Sequence, residues 1–240
     1  MTIRSENLVK IYNDRTVVNH ISLDINPAEV VGLLGPNGAG KTTTFYMIVG
    51  LVKPDNGKIF IENNEITNHP IHERARAGIG YLPQETSIFR KLTVEENISL
   101  VLEMNKTLNK FERKEKLDSL LEDFGLTRIR KSESIQLSGG ERRRAEIARA
   151  LAASPKFILL DEPFTGIDPI AIMDIQENIK QLVNKGIGVL LTDHNPKATL
   201  SITTRANIIF DGSIKVKGTS KEVAEDPVAR EFYLGEDFEL

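Results

Sequence analysis

The sequence contains no cysteine. That absence excludes disulfides, thiolate metal sites, iron–sulfur clusters and cysteine nucleophiles, and it fits a reducing compartment. Long apolar runs are missing too, since no window approaches the ~18 consecutive apolar residues that a membrane span needs. Met1 to Lys10 carries Arg4, Glu6 and Lys10 where a signal peptide would have its apolar core. A cytoplasmic location is therefore expected, with any membrane contact made through a partner. Positive charge is not in excess: 31 Lys and Arg against 34 Asp and Glu give a formal charge of −3. A chain that binds nucleic acid by its charge is normally basic, so no nucleic-acid partner is expected. There is no internal repeat and no long linker. What remains is a globular mixture, 40% apolar and 27% charged over 240 residues. A chain of this size removes roughly 70–75% of its unfolded surface from water and needs no covalent staple.

The periodicity of the apolar residues changes along the chain. His20 to Ile25 alternates apolar and polar, as does Lys58 to Glu62 in part, which predicts half-buried strands. Glu29 to Leu34, Phe157 to Leu160 and Gly188 to Thr192 are nearly continuous apolar runs, the pattern of strands buried on both faces of a parallel sheet. Between them, Thr93-Val94-Glu95-Glu96 has capping-box form, with Ile98, Val101 and Leu102 following at helical spacing. Leu117, Leu120, Leu121 and Phe124 repeat that spacing, and Gly125 supplies a stop. A helical block over about residues 86–155 is predicted. Asp211-Gly212 reads as a hairpin turn, and Asp226-Pro227 as the cap and first position of a short closing helix.

Three segments carry chemistry. Gly35-Pro36-Asn37-Gly38-Ala39-Gly40-Lys41-Thr42 fits G-x-x-x-x-G-K-[ST] between a buried strand and a helix predicted over Lys41 to Leu51. Glycines let the backbone curl so that N–H groups face phosphate oxygens, and the helix start adds positive charge. Lys41 is expected on the β- and γ-phosphates and the Thr42 hydroxyl on Mg²⁺. Asp161-Glu162 ends an apolar strand. Acidic residues often end strands merely to meet solvent. Beside a phosphate loop, however, Asp161 is placed to hold Mg²⁺ through water and Glu162 to polarise an attacking water. Leu137-Ser138-Gly139-Gly140-Glu141 opens a helix with Ala145, Ala148, Leu151 and Ala152 on one face. It reads either as a well-capped helix or as a second anion site. Glu141-Arg142-Arg143-Arg144 reads as a solvated helix face.

These segments, in this order and with Gln84 and His194 between and after them, resemble the ATP-binding cassette (ABC) ATPases over nearly the whole chain. LSGGE is the most diagnostic part. The expected fold is α/β: a P-loop NTPase with a mainly parallel core sheet, an antiparallel β subdomain and a helical subdomain. Residues 1–85 and 156–240 would form the core with its β subdomain, and 86–155 the helical signature subdomain. The resemblance implies ATP and Mg²⁺ as cofactors, Tyr12 stacked on adenine, and Gly35 through Thr43 around the phosphates. It implies Gln84 on Mg²⁺ and the water, His194 on the γ-phosphate, and Gly166-Ile167-Asp168 crossing between subunits. It also implies a head-to-tail homodimer, in which Ser138, Gly139, Gly140 and Glu141 of one copy close over ATP held by the other.

With no fused membrane segment in the chain, transport would need two separate integral membrane subunits. The resemblance places their docking just after the glutamine, with Ile88 and Phe89 as apolar candidates and core packing as their plain alternative. At finer grain the chain is similar to the ATPases of bacterial lipopolysaccharide exporters, in Gly32 through Met47, Gly80 to Glu85 with Ser87 to Arg90, Gly140 to Arg144, Asp193 to Asn195 and the tail Tyr233 to Phe238. That implies a protein on the cytoplasmic face of the inner membrane with no direct lipid contact. An ATPase of another transporter, such as a branched-chain amino acid importer, would carry similar catalytic motifs. A non-transport ABC protein usually has two cassettes or a long coiled-coil insertion, which 240 residues do not accommodate.

Overall fold

The computed structural model describes residues 1–240. Two sheets carry the fold. The first is antiparallel, in the order β2-β1-β4-β5, built from β1 (Ile3–Tyr12), β2 (Arg15–Ile25), β4 (Asn56–Ile61) and β5 (Asn64–Glu65). The second has six strands in the order β10-β9-β3-β8-β7-β6. They are β3 (Val30–Leu34), β6 (Ile79–Leu82), β7 (Phe157–Asp161), β8 (Gly188–Thr192), β9 (Arg205–Phe210) and β10 (Ser213–Thr219). All its pairings are parallel except β9 with β10, which turn at Asp211-Gly212, both at positive φ.

The continuous apolar runs find their reason here. In β7, Ile158 and Leu160 face one core while Phe157 and Leu159 face another. The first core lies against α3 (Val94–Met104), α4 (Lys110–Asp123), α5 (Gly139–Ala152) and α6 (Pro169–Asn184). The second lies against α1 (Lys41–Val49) and the antiparallel sheet. A strand buried on both faces has no polar side to alternate with. Two short helices, α2 (Ile71–Arg76) and α7 (Pro196–Leu200), flank β6 and β9 in sequence. Beyond β10, α8 (Ser220–Glu225) and a last turn from Pro227 to Leu234 cover a third, small core around Leu34 and Ile208. No helix is long and apolar enough to cross a membrane.

Local rules account for most element ends. Thr93 and Glu96 form the capping box expected at α3, and Gly125 follows α4 at φ 62°. The same device, Asn109 with Glu112, starts α4 at Lys110, ahead of the apolar repeat that begins at Leu117. Helix α1 stops at Val49 and not at Leu51, because Gly50 adopts φ 91° and both Gly50 and Leu51 donate to the Tyr46 carbonyl. The solvated face expected for Glu141 to Arg144 is corrected at one residue. Arg143 is buried, because it lies three residues after Gly140 and four before Ile147, on the face of α5 turned to the core.

Candidate functional site

Parallel register brings distant segments to one sheet edge. Leu82 of β6 pairs with Leu160 of β7, Asp161 with Thr192 of β8, and Gly32 of β3 with Leu191. Gln84, Glu162, His194 and the loop from Gly35 therefore leave the sheet side by side, at the carboxyl ends where open α/β sheets bind ligands.

The Gly35–Thr43 loop is shaped by close approach. Gly35 has φ 148°, and a β-carbon there would lie 2.1 Å from the Ile209 carbonyl oxygen. Gly40 has φ 103°, and a β-carbon would lie 2.6 Å from the Val17 oxygen. Neither position admits a side chain, so the backbone can wrap tightly onto the start of α1. A turn from Pro36 to Ala39, closed by the Ala39 N–H donating to the Pro36 carbonyl at 3.3 Å, completes the curl. Lys41 is buried, and its Nζ donates to the Gly35 and Pro36 carbonyls at 2.8 and 2.9 Å. Burial holds its pKa below the usual lysine value, although the charges of Glu162 and Asp161 raise it. A cleft of about 150 Å³ opens over Asn37, Gly38, Gly40, Lys41, Thr42 and Thr43, with Val17, Glu162 and His194 as its other walls.

The two carboxylates differ sharply. Asp161 is 2% exposed; its Oδ2 accepts from the Tyr81 hydroxyl at 3.4 Å and its Oδ1 has no partner. Burial, and then the charge of Glu162, push its pKa up to about 6. Tyr81 in turn titrates above its ordinary value, through burial and then the charge of Asp161. Glu162 sits at φ 48°, a conformation costly for a residue with a β-carbon, and its N–H donates to the Thr192 carbonyl at 2.8 Å. Its Oε1 lies 2.7 Å from His194 Nε2, and its Oε2 accepts from the Thr165 hydroxyl at 3.1 Å. No cluster of three or more His, Cys, Asp or Glu could hold a metal by itself. The orphaned Asp161 oxygen and the Thr42 hydroxyl are nevertheless hard oxygen donors of the kind Mg²⁺ takes alongside substrate phosphates, so the residues fit that ion.

The remaining candidates lie apart from this cleft. Gln84 lines a second polar cavity, about 160 Å³, with Thr86, Gly139, Arg142 and Arg143; Glu162 alone belongs to both cavities. Tyr12 stands at the end of β1, 43% exposed, with the Lys10 ammonium 5.3 Å from its ring centroid. It does not line the cleft, to which its hairpin contributes Val17. Ser138 caps α5: its hydroxyl oxygen accepts from the Glu141 N–H at 3.3 Å, while Glu141 accepts from the Ser138 N–H and hydroxyl at 2.9 and 2.7 Å. Those bonds hold the Glu141 carboxyl below its usual pKa. Gly140 packs against Ala171 so closely that a β-carbon would come within 3.0 Å of that side chain. Asp168 caps α6 by accepting from the Ile170 and Ala171 N–H groups.

An apolar groove of about 480 Å³ runs between α3, α5 and the segment after Gln84. Phe89, 52% exposed, lines it with Leu100, Val101 and Met104. Ile88 does not. It is 5% exposed and packed in the large core, so of the two apolar candidates only Phe89 is exposed. Two buried side chains beside these cavities escaped the motif reading, Arg143 and Glu146. Their helical spacing on the buried face of α5 was the available signal.

The comparisons agree with this geometry. The ABC transporter family model matches residues 18–165. The lipopolysaccharide export system ATP-binding protein LptB of Haemophilus influenzae is 56% identical over 99% of both chains. That of Escherichia coli K12 is 52% identical over 100% of this chain and 99% of its own. Among solved structures, the ADP conformation of the ATP-binding cassette MJ1267 superposes with a TM-score of 0.87 at 31% identity, covering 98% of this chain and all of that one. A dimeric post-hydrolysis state of the cassette MJ0796, bound to ADP and phosphate, gives 0.79 at 27% identity over 91% of this chain and 98% of its own. With the phosphate loop, the acidic strand end and the LSGGE helix start all in place on this α/β frame, the chain belongs to the ABC transporter family, as one of its ATP-hydrolysing subunits.

Proposed function

We propose that the chain powers lipopolysaccharide export, working as two copies beneath two integral membrane subunits on the cytoplasmic face of the inner membrane. The reading is carried by the likeness to the Haemophilus influenzae export protein, which covers 99% of both chains. ATP would lie in the Gly35–Thr43 loop, with Tyr12 against the base. Lys41 would exchange its bonds to the Gly35 and Pro36 carbonyls for phosphate oxygens. Glu162 would orient water in line with the γ-phosphate, and His194, already 2.7 Å from that carboxylate, would hold both in place. Thr42, Asp161 and Gln84 would hold Mg²⁺, which when bound neutralises charge developing on the phosphates.

One chain carries one phosphate loop and one LSGGE start, and the two open on different cavities. Two copies placed head to tail would set Ser138 to Glu141 of each over the ATP of the other. The ligand's negative charge would then join two electropositive surfaces, and its hydrolysis would release them. Phe89 and its groove would receive an element of the membrane subunit.

The test is recovery of the tagged chain from detergent-solubilised inner membranes. Exporter subunits are expected with it, together with ATP-dependent release of lipopolysaccharide from vesicles containing the complex. Recovery with subunits of an amino acid importer instead would overturn the cargo assignment and leave the ATPase assignment standing.

A further inference from the structure

Glu146 of α5 is 3% exposed, and it is the one residue that lines both the polar cavity of Gln84 and the apolar groove of Phe89. Its Oε1 accepts from the Ser87 and Ile88 N–H groups at 2.6 and 3.1 Å. Its Oε2 accepts from Arg143 Nη1 at 3.3 Å. Arg143 in turn donates to the Pro83 carbonyl at 2.9 Å and to the Asp161 carbonyl at 3.4 Å. One turn further along α5, Arg149 donates to the Ser87 hydroxyl at 2.8 Å and lies 5.4 Å from the Phe89 ring centroid. Residues 143, 146 and 149 fall along one face at i, i+3 and i+6, so a single helix grips the 83–89 segment at both ends and in the middle.

We propose that Glu146 is the positioning residue that makes segment 83–89 one rigid piece, so that Gln84 at the nucleotide and Phe89 in the groove are set together. The segment has no helix or strand of its own. The carboxylate supplies the acceptor for two successive amides, part-buried at Ser87 and buried at Ile88, that no other group satisfies, and charge-assisted bonds are the stronger kind. Without it, the segment's amides would seek water, and Gln84 would lose its fixed distance from α5 and from Glu162. Turnover would fall while the phosphate loop, and with it ATP affinity, stayed intact. The inference rests on the reading that Gln84 serves the nucleotide site.

The test compares the full chain with Glu146→Gln, which keeps one oxygen acceptor, and Glu146→Met, which keeps none at similar volume. Hydrogen exchange of the segment-83–89 amides should rise roughly 10–100-fold in Glu146→Met. Its kcat should fall about tenfold or more, since small misplacements near the chemistry cost up to about 100-fold. KM for ATP should stay within about twofold, because the phosphate loop is untouched. Glu146→Gln should fall between the two, a rescue that depends on its acceptor. Wild-type kcat and exchange in Glu146→Met would overturn the proposal, as would equal losses in both variants, which would make Glu146 only the partner of Arg143. Should Glu146→Met not fold, Arg143→Leu/Glu146→Met removes the buried Arg143 charge together with its partner, and wild-type turnover and exchange in that pair would overturn it equally. Gln84→Ala separates the two readings. If it turns over ATP normally, Gln84 is not part of the site; if it is slow beside a normal Glu146→Met, only the role of Glu146 falls.

Discussion

Replacing Asp161 with asparagine should make the free chain more stable, although it removes a residue from the nucleotide site. Asp161 is almost fully buried, one of its oxygens has no partner, and its pKa stands at about 6 against an ordinary 3.8. The folded chain thus binds this proton more tightly than the unfolded chain does. Its ionisation lowers stability as pH rises from about 4 to about 6, and the full cost persists above that. The difference corresponds to about 3 kcal/mol at pH 7.5 and about half of that at pH 5. Asparagine keeps an acceptor for Tyr81, and the attraction of Asp161 for Lys41 and Arg143 is already contained in the raised pKa; burying the amide in its place still has a cost, so a net gain of about 1–3 kcal/mol is expected at pH 7.5. For a chain of this length that is roughly 2–12 °C in the unfolding midpoint. Calorimetric unfolding without nucleotide, from pH 5 to pH 8, reads it directly. The gap between variant and wild type should widen with pH up to about 7 and then level. A variant no more stable than wild type at pH 7.5, or a gap indifferent to pH, would refute the reasoning. With ATP and Mg²⁺ added the order should reverse, because only the wild type has a carboxylate for the ion to neutralise.

Three further substitutions probe the remaining parts of the site. Glu162→Gln should keep ATP binding, lose turnover by about 10²–10⁴-fold and trap an ATP-bound dimer in size-exclusion chromatography; a variant that still turns over at steady state removes Glu162 from its role. Lys41→Ala should weaken ATP binding by at least about tenfold in calorimetry, the scale of lost charged hydrogen bonds; unchanged affinity counts against the phosphate-loop assignment. Ser138→Arg should leave ATP binding to the monomer intact yet abolish the dimer in a Glu162→Gln background. Loss of the α5 cap should cost only about 1 kcal/mol in stability, so a dimer that still forms contradicts the role of Ser138 across the interface.

Much of this was legible in the sequence, for reasons that can be located. Strands β3, β7 and β8 are buried on both faces, so they read as unbroken apolar runs, and the chemistry sits at their ends, where runs stop. Helices α3 and α5 announce themselves through capping boxes, whose reciprocal bonds join residues three apart. The strand order β10-β9-β3-β8-β7-β6 is a different matter. It depends on pairings between residues more than a hundred positions apart, such as Val30 with Val189, and no local pattern encodes these. Helix α6 has no capping signal in the reading of the sequence, where Asp168 counts only as the end of the crossing loop Gly166-Ile167-Asp168, although Asp168 caps the helix and Pro169 stands at its first position. Arg143 and Ile88 fail in opposite directions for one reason. A charge in a run of charges reads as solvated, and an apolar pair beside a helical block reads as available. Which is buried depends on what packs against it, and for Arg143 that includes the Pro83 carbonyl, 60 residues away.

The features the sequence could not show are also the ones that cost stability in the free chain. Asp161 carries an unpartnered buried oxygen, and Glu162 is held in a left-handed conformation at the end of its strand. Each costs about 1–3 kcal/mol and persists only because the sheet around it is over-determined on both faces. Neither would survive in a chain selected for stability alone, since an asparagine and a glycine would remove both costs. A cation beside Asp161 and a water beside Glu162 would offset those costs only in the loaded site. Ligand binding at this edge would therefore bias the strand ends, and Arg143, which donates to the Asp161 carbonyl, is the contact that joins them to α5. Any free energy that ligand binding passed on to α5 would be bounded by the difference in affinity between the two arrangements. The Asp161→Asn gap against pH measures one part of it.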